Sequence, residues 1–266
     1  MIGVGGPRIL AADSGLGGLT IVTEIRRLLP QARLSYLCDN AFFPYGTRAD
    51  DALLAHFLGV MNRAIERVRP DLIVTACNTI STICLPQLRA ATTIPVVGVV
   101  PAIKPAAQQS KRKIIGLLAT PATINRPYTD DLIQRYAADC TVLKVGSADL
   151  VEMAEAKLRG TAIDQVRLRN IVAPFFDRPV NAQPDIIVLA CTHFPLLRAE
   201  LEAAGPPGVD WIDSGAAVAR RAVEVLPPLR EHAAGADLAL TSGPVDPALG
   251  HALTTFGFPE AEVLSS

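Results

Sequence analysis

Short β-branched apolar runs alternate along this chain with longer stretches whose apolar residues recur every three or four positions. Arg8–Ala12 reads as a strand ending at Asp13-Ser14-Gly15. Leu19, Val22, Ile25 and Leu28/Leu29 then follow helical spacing until Pro30 closes the segment. Leu34–Leu37 reads as a second strand. Asp50 and Asp51 open a stripe of Leu53/Leu54, Phe57/Leu58, Met61, Ala64/Ile65 and Val68, with the acidic pair where a helix N-terminus favours negative charge. Leu72–Ala76, Val96–Val100, Ile114–Leu118 and Ile186–Ala190 are continuous apolar runs. Strands covered by helices on both faces lack the alternation of half-exposed ones, so these runs predict parallel α/β sheets.

A repeat divides the pattern. Pro70-Asp71-Leu72-Ile73-Val74-Thr75-Ala76-Cys77-Asn78-Thr79 aligns with Pro184-Asp185-Ile186-Ile187-Val188-Leu189-Ala190-Cys191-Thr192-His193, with six of ten pairs identical. The Pro-Asp start and the Ala-Cys end carry more weight than the Ile and Val, which recur in any apolar strand. Asp13-Ser14-Gly15 is echoed by Asp213-Ser214-Gly215. The plain reading is two similar α/β halves with a cysteine at the carboxyl end of an equivalent strand in each. A length of 266 residues agrees with two domains at about 150 residues each. Pro101, Pro105 and the basic run Lys111-Arg112-Lys113 suggest a crossing near residue 100, and Asp210–Asp213 suggests a return strand. The expected first domain is therefore discontinuous, 1–99 plus 210–266, around a second at 100–209.

Composition narrows the class. Hydrophobic residues make up 50% of the chain and charged residues 19%, with mean hydropathy +0.31, which excludes a disordered chain. A formal net charge of -1 gives no electrostatic reason to expect nucleic acid or an anionic membrane as partner. No apolar run approaches the ~18–20 residues that span a bilayer. Met1–Asp13, interrupted by Arg8, does not read as a signal peptide. Five cysteines without a C-x-x-C pair fit free thiols in a reducing cytosol better than a disulfide framework or a zinc site. A cytoplasmic globular protein is the expectation.

Ligands in open α/β sheets bind beyond the carboxyl ends of the strands. Asp13-Ser14, Cys77-Asn78-Thr79, Thr120 and Cys191-Thr192-His193 all fall at such ends. If two similar halves face one another, Cys77 and Cys191 take opposite sides of one cleft. Inverting a carbon acid needs a base on one face and an acid on the other, and a thiolate/thiol pair serves both directions by exchanging roles. Asp13 would assist Cys77, and His193 would assist Cys191. Cys38, Cys84 and Cys140 lack this placement and read as packing residues. Ser14-Gly15-Leu16-Gly17-Gly18 is a glycine-rich turn whose backbone N–H groups suit an anion such as a carboxylate. With Asp39 after the next strand it also invites a dinucleotide reading, but G-x-G-x-x-G fails at Thr20. Phe42-Phe43-Pro44-Tyr45-Gly46 would turn Tyr45 toward the cleft and let backbone near Gly46 approach a ligand. His56, His232 and His251 show no ligand spacing and read as surface or helix residues, and Lys111–Lys113 reads as a solvated run.

Taken together, Asp13-Ser14-Gly15-Leu16-Gly17-Gly18, Pro44-Tyr45-Gly46, Ala76-Cys77-Asn78-Thr79, Gly98-Val99-Val100-Pro101-Ala102, Cys191-Thr192-His193-Phe194-Pro195-Leu196-Leu197 and Asp213-Ser214-Gly215 resemble the cofactor-independent aspartate/glutamate racemase superfamily, and within it the glutamate racemases. The resemblance implies two pseudo-symmetric α/β domains with the active site in the cleft between them. It implies a two-base interconversion of L- and D-glutamate without a cofactor or metal, supplying D-glutamate for peptidoglycan, by a homodimer. It assigns Cys77 as base for the D-enantiomer and Cys191 for the L-enantiomer, assisted by Asp13 and His193. Ser14, Tyr45, Gly46, Asn78, Thr79, Thr120 and Thr192 would hold the substrate, with Asp13 and His193 also touching it. The acidic residue of a further family segment falls on Glu155 within Ser147–Glu155, although the usual cysteine and prolines of that segment are absent here. Ala119 and Ala190 stand where many members have Gly. No long N-terminal extension of the kind tied to activation by a cell-wall precursor is present, so that regulation is not expected.

Three other readings stay open on the sequence. Aspartate or another acidic amino acid could be the substrate, since one methylene is worth only about 1–3 kcal/mol of discrimination. A hydrolase with Cys191 as nucleophile and His193 as base would make Cys77 dispensable. A dinucleotide-binding module would bind NAD saturably.

Overall fold

A computed structural model describes residues 6–228 and 235–264 of the chain; His232 lies outside them. The strands are β1 (Arg8–Asp13), β2 (Arg33–Cys38), β3 (Leu72–Thr75), β4 (Val96–Gly98), β5 (Ile114–Ala119), β6 (Thr141–Gly146), β7 (Ile186–Leu189), β8 (Asp210–Ile212), β9 (Leu238–Thr241) and β10 (Glu260–Val263). They form two sheets, β10-β9-β2-β1-β3-β4 and β6-β5-β7-β8, in which the paired strands are parallel. The chain divides into two compact α/β units, Met1–Val99 with Gly215–Ser266, and Val100–Ser214.

Each unit is built on the same four-strand order. β2-β1-β3-β4 in the first corresponds to β6-β5-β7-β8 in the second, and the first unit adds β9 and β10 beyond β2. The repeated sequence occupies equivalent strands, β3 and β7, and both are buried along their whole length. Its Pro-Asp start also has an equivalent use. Asp71 accepts the backbone N–H of Arg8 at the head of β1 (2.8 Å). Asp185 accepts the N–H groups of Lys111 (2.8 Å) and Arg112 (3.0 Å) and the Ser110 hydroxyl (2.6 Å), just ahead of β5. In each unit a carboxylate thus latches the entry of the central strand. Burial opposes the Asp185 charge, but these donors outweigh it and hold the carboxyl below its ordinary range. The basic run is therefore more than a solvated stretch, since its backbone clasps Asp185.

Helical periodicity places the core. The helix Asp50–Val68 buries Leu53, Phe57, Val60, Met61 and Ala64 against β1–β3, with Ile80, Cys84 and Leu88 of the helix Asn78–Ala91 in the same cluster. In the second unit Ile115, Leu117, Ala119, Ile186, Val188 and Ala190 pack with Ile103 and Ala106. Ala119 and Ala190 thus serve as core positions. Of the cysteines read as packing residues, Cys38 and Cys84 are buried, and burial pushes the Cys84 thiol up to about 12; Cys140 is half-buried beside Asp139.

One boundary differs from the expectation. Asp210–Ile212 does not return to the first domain; it pairs with β7 through Ile186↔Asp210, Ile187↔Trp211 and Val188↔Ile212, so the second unit runs to Ser214. A three-residue strand carries too few side chains to name its sheet, and the echo of Asp13-Ser14-Gly15 in Asp213-Ser214-Gly215 does not mark equivalent strands, since β8 corresponds to β4 rather than to β1.

Candidate active site

In the first unit, Asp13 ends β1, and Cys77 follows β3, its parallel neighbour; the strands are still joined one residue earlier by Ala76 N–H donating to the Ala12 carbonyl (2.7 Å). Cys77 is nearly buried and stands immediately before the helix Asn78–Ala91. The positive end of that helix favours anionic groups beside it. Asn78 and Thr79 form its first turn, both buried, and the side-chain oxygen of Asn78 has no hydrogen-bond partner among the described residues. A buried amide oxygen without a donor carries a desolvation penalty that a bound ammonium or N–H would relieve. Ser81, one turn on, bonds the Thr75 side chain (2.8 Å) and the Val99 N–H (3.1 Å), which braces this helix against β3 and β4. Ser14 turns back on Asp13, with its N–H 2.6 Å from the carboxylate.

The glycine-rich turn has a packing role the sequence reading did not separate from anion binding. A Cβ on Gly18 would lie 2.8 Å from Asp13 Cβ, 2.9 Å from the Tyr36 hydroxyl and 3.0 Å from Ala76 Cβ. Only a hydrogen fits there, and that close approach presses the helix Leu19–Leu28 against the ends of β1 and β3. The N–H groups of Leu19 and Thr20 are taken by the Leu16 and Gly17 carbonyls, so any anion cradle is confined to the turn ahead of the helix.

Tyr45 does not offer its side chain to a ligand, contrary to the expectation. Its ring is buried edge-on to Phe57, and its hydroxyl donates to Asp39 at 2.6 Å. Burial first, and Asp39 second, push the phenol well above its usual range, which keeps it a donor. What remains for a ligand is backbone. Tyr45–Thr47 is a single 3-10 turn whose bonds run from Thr47 N–H to Pro44 and from Arg48 N–H to Tyr45, so the N–H groups of Tyr45 and Gly46 are outside its ladder. Asp39 also meets His56, a contact the sequence reading missed; nothing in helical spacing links residue 56 to a strand end.

In the second unit, Cys191 follows β7, and its sulfur lies 3.8 Å from His193 Nδ1. His193 Nε2 lies 2.8 Å from Glu155 Oε1, and both residues are buried. Glu155 comes from the helix Asp149–Leu158, where it shares the buried face with Val151 and Ala154. Burial is the largest influence on His193 and pushes its pKa down, but the sulfur on one side and the carboxylate on the other outweigh it and raise the pKa well above the ordinary histidine value. The arrangement favours the protonated imidazole between the Cys191 sulfur and the Glu155 carboxylate, a proton store beside a sulfur. Thr192 is buried between Cys191 and His193 in the chain. Thr120, after β5, caps the short helix Pro121–Ile124 by accepting the Thr123 N–H (3.3 Å), so its oxygen already has a structural task. His251 lies exposed on the helix Pro247–Thr255. Among the described residues no group of three or more His, Cys, Asp or Glu side chains converges to hold a metal ion, and no helix is long and apolar enough to cross a membrane.

Residues 19–252 match the Asp/Glu/Hydantoin racemase family, and the chain belongs to it. A protein of Pectobacterium carotovorum named glutamate racemase is 50% identical over 215 residues, covering 81% of this chain and 75% of that relative. Another so named, from Sodalis glossinidius, is 43% identical, covering 97% and 91%. The crystal structure of Escherichia coli glutamate racemase in complex with L-glutamate and the activator UDP-MurNAc-Ala superimposes with a TM-score of 0.93 at 42% identity, over 97% of this chain and 98% of that one. Within its family the chain groups with the glutamate racemases.

Proposed function

We propose that this protein interconverts L- and D-glutamate without a cofactor, by proton transfer between two thiols. The observation that carries the reading is the duplication itself: Cys77 and Cys191 follow equivalent strands, β3 and β7, of two sheets with one strand order. The proposed substrate contacts lie at the carboxyl ends of the strands of each unit. There the Tyr45 and Gly46 N–H groups, with Ser14, Asn78, Thr79, Thr120 and Thr192, hold the carboxylates and the ammonium. The Asn78 oxygen, without a hydrogen-bond partner among the described residues, suits the ammonium.

From L-glutamate, the Cys191 thiolate takes the α-proton. The Cα–H bond breaks, an S–H bond forms, and the electron pair stays on Cα, delocalised into the carboxylate. The Cys77 thiol then gives its proton to the opposite face, its S–H pair remaining on sulfur as the new Cα–H bond forms. D-Glutamate runs the same steps in reverse. His193, held by Glu155, stabilises the Cys191 thiolate, and Asp13 handles the proton at Cys77. D-Glutamate supply for peptidoglycan, a cytoplasmic location and a homodimer belong to this proposal.

The purified protein in D₂O, without added cofactor, is given L-glutamate or L-aspartate and followed by chiral chromatography and mass spectrometry. Formation of D-glutamate with one solvent deuteron at Cα is expected. Turnover of aspartate alone would move the assignment to another substrate of the family, and no turnover of either would overturn it. The Cys191–His193–Glu155 geometry also suits a cysteine hydrolase, and full retention of whatever activity is found in Cys77→Ser would favour that reading.

A further inference from the structure

Asp39 is a fully buried carboxylate at the exit of β2, and three parts of the first unit converge on it. Its own N–H donates to the Asp13 carbonyl (2.8 Å), so the loop that begins here is hung from the strand end that carries Asp13. Tyr45 donates its hydroxyl to one carboxylate oxygen. His56, from the helix Asp50–Val68, sets Nε2 at 3.0 and 2.8 Å from the two oxygens. The same imidazole stacks on Phe42, with ring centroids 4.1 Å apart and planes 13° apart. The Arg48 guanidinium sits 4.7 Å from that phenyl centroid, and it donates to the Phe42 and Phe43 carbonyls at 3.2 and 3.1 Å. The segment from Asp39 to Arg48 is therefore clamped twice, at its start through Asp39 and along its length through Phe42. Tyr45 and Gly46, with their N–H groups outside the turn's ladder, lie inside the clamp.

We propose that His56 is a positioning residue for substrate binding, acting through Asp39 and Phe42 to fix the backbone of Tyr45 and Gly46. The proposal rests on the reading of those N–H groups as carboxylate donors. A buried carboxylate stripped of one donor can be satisfied only by moving its remaining partner or admitting water, and either shifts Tyr45. Carboxylate recognition by two backbone donors tolerates little displacement, so the loss falls on binding. His56 is also a practical target, because its side chain is 27% exposed and its removal empties little core.

His56→Phe keeps the stacking surface and removes the hydrogen bond; His56→Gln restores an N–H donor without the ring. His56→Phe is expected to raise KM for glutamate about tenfold in both directions with kcat within about threefold, the size expected for a hydrogen bond to a charged group. His56→Gln should recover most of that loss. If His56→Phe does not fold, Tyr45→Phe, which removes the other donor, should show the same rise. A lower melting temperature with unchanged KM, a fall in kcat alone, or no recovery in His56→Gln would overturn the proposal. Absence of racemisation by the unaltered protein would instead overturn the functional reading, so the two failures are distinguishable.

Discussion

The strand ends of the two units share an address and differ in equipment. After β7, Cys191 has a histidine two residues on, backed by a buried carboxylate from a helix. After β3, Cys77 opens a helix directly and has Asp13 at the end of the adjacent strand. The shared strand order sets where each sulfur lies, and the polar neighbour of each comes from a different element. The proposed reaction tolerates this asymmetry, since thiols that exchange roles need only protonation states that can alternate, not identical surroundings.

The largest effects should come from breaking the pair. Cys77→Ser and Cys191→Ser should each lower racemisation by about 10²–10⁴-fold, the range of a positioned general acid or base. Solvent exchange should then separate the faces. In D₂O, Cys77→Ser should still exchange the α-hydrogen of L-glutamate with retention, and Cys191→Ser that of D-glutamate. Mass spectrometry of the recovered enantiomers reads both.

A smaller effect sharpens the asymmetry. Glu155→Gln removes the carboxylate, one of the two partners that raise His193, and should lower kcat/KM by about 10–100-fold, the weight of a charge-assisted hydrogen bond. The sign for pH follows from the raised pKa. The stabilisation His193 draws from its partners is fully present below the ordinary histidine value of about 6.5 and is lost as pH rises through the raised folded value. The histidine C2–H resonance of the unaltered protein should titrate above the ordinary value, and that midpoint should move down in Glu155→Gln. An unmoved midpoint would remove Glu155 from the relay.

Packing comes next in size. Gly18→Ala should destabilise the protein by about 1–3 kcal/mol in denaturant unfolding, because the new methyl meets Asp13 Cβ and Ala76 Cβ rather than the end of a flexible side chain. The smallest expected effect concerns the latches. Asp185→Asn should destabilise by about 0.5–1.5 kcal/mol at neutral pH. Because the Asp185 carboxyl is held low, its contribution is present above the ordinary carboxyl value and lost as pH falls through the folded one. The difference between protein and variant should therefore shrink in acid.

Much of this was legible in the sequence for identifiable reasons. Strands covered on both faces need unbroken apolar runs, so β1, β3, β5 and β7 stood out. The stripe from Leu53 to Ala64 named its helix because only one face is buried. β6 escaped notice because Thr141–Gly146 has half its residues exposed, leaving no apolar run. β9 and β10 were not read either: Glu260–Val263 is mostly exposed and alternates acidic with apolar residues, and Leu238–Thr241, though buried and as long as β3 and β7, lacks the repeated motif that marked those two. Glu155 was reached only through family resemblance, and its contact with His193 spans 38 residues that no local pattern connects.

The sequence by itself determined the class of fold, the repeat, and the strand-end placement of Asp13, Cys77, Cys191 and His193, because burial periodicity and loop chemistry are local properties of a chain. Tertiary structure decided which sheet receives Asp210–Ile212, that Tyr45 spends its hydroxyl on Asp39, and that Glu155 stands behind His193 and His56 behind Asp39. Those outcomes depend on which distant polar groups must satisfy one another once water is gone, and a linear pattern does not record that pairing.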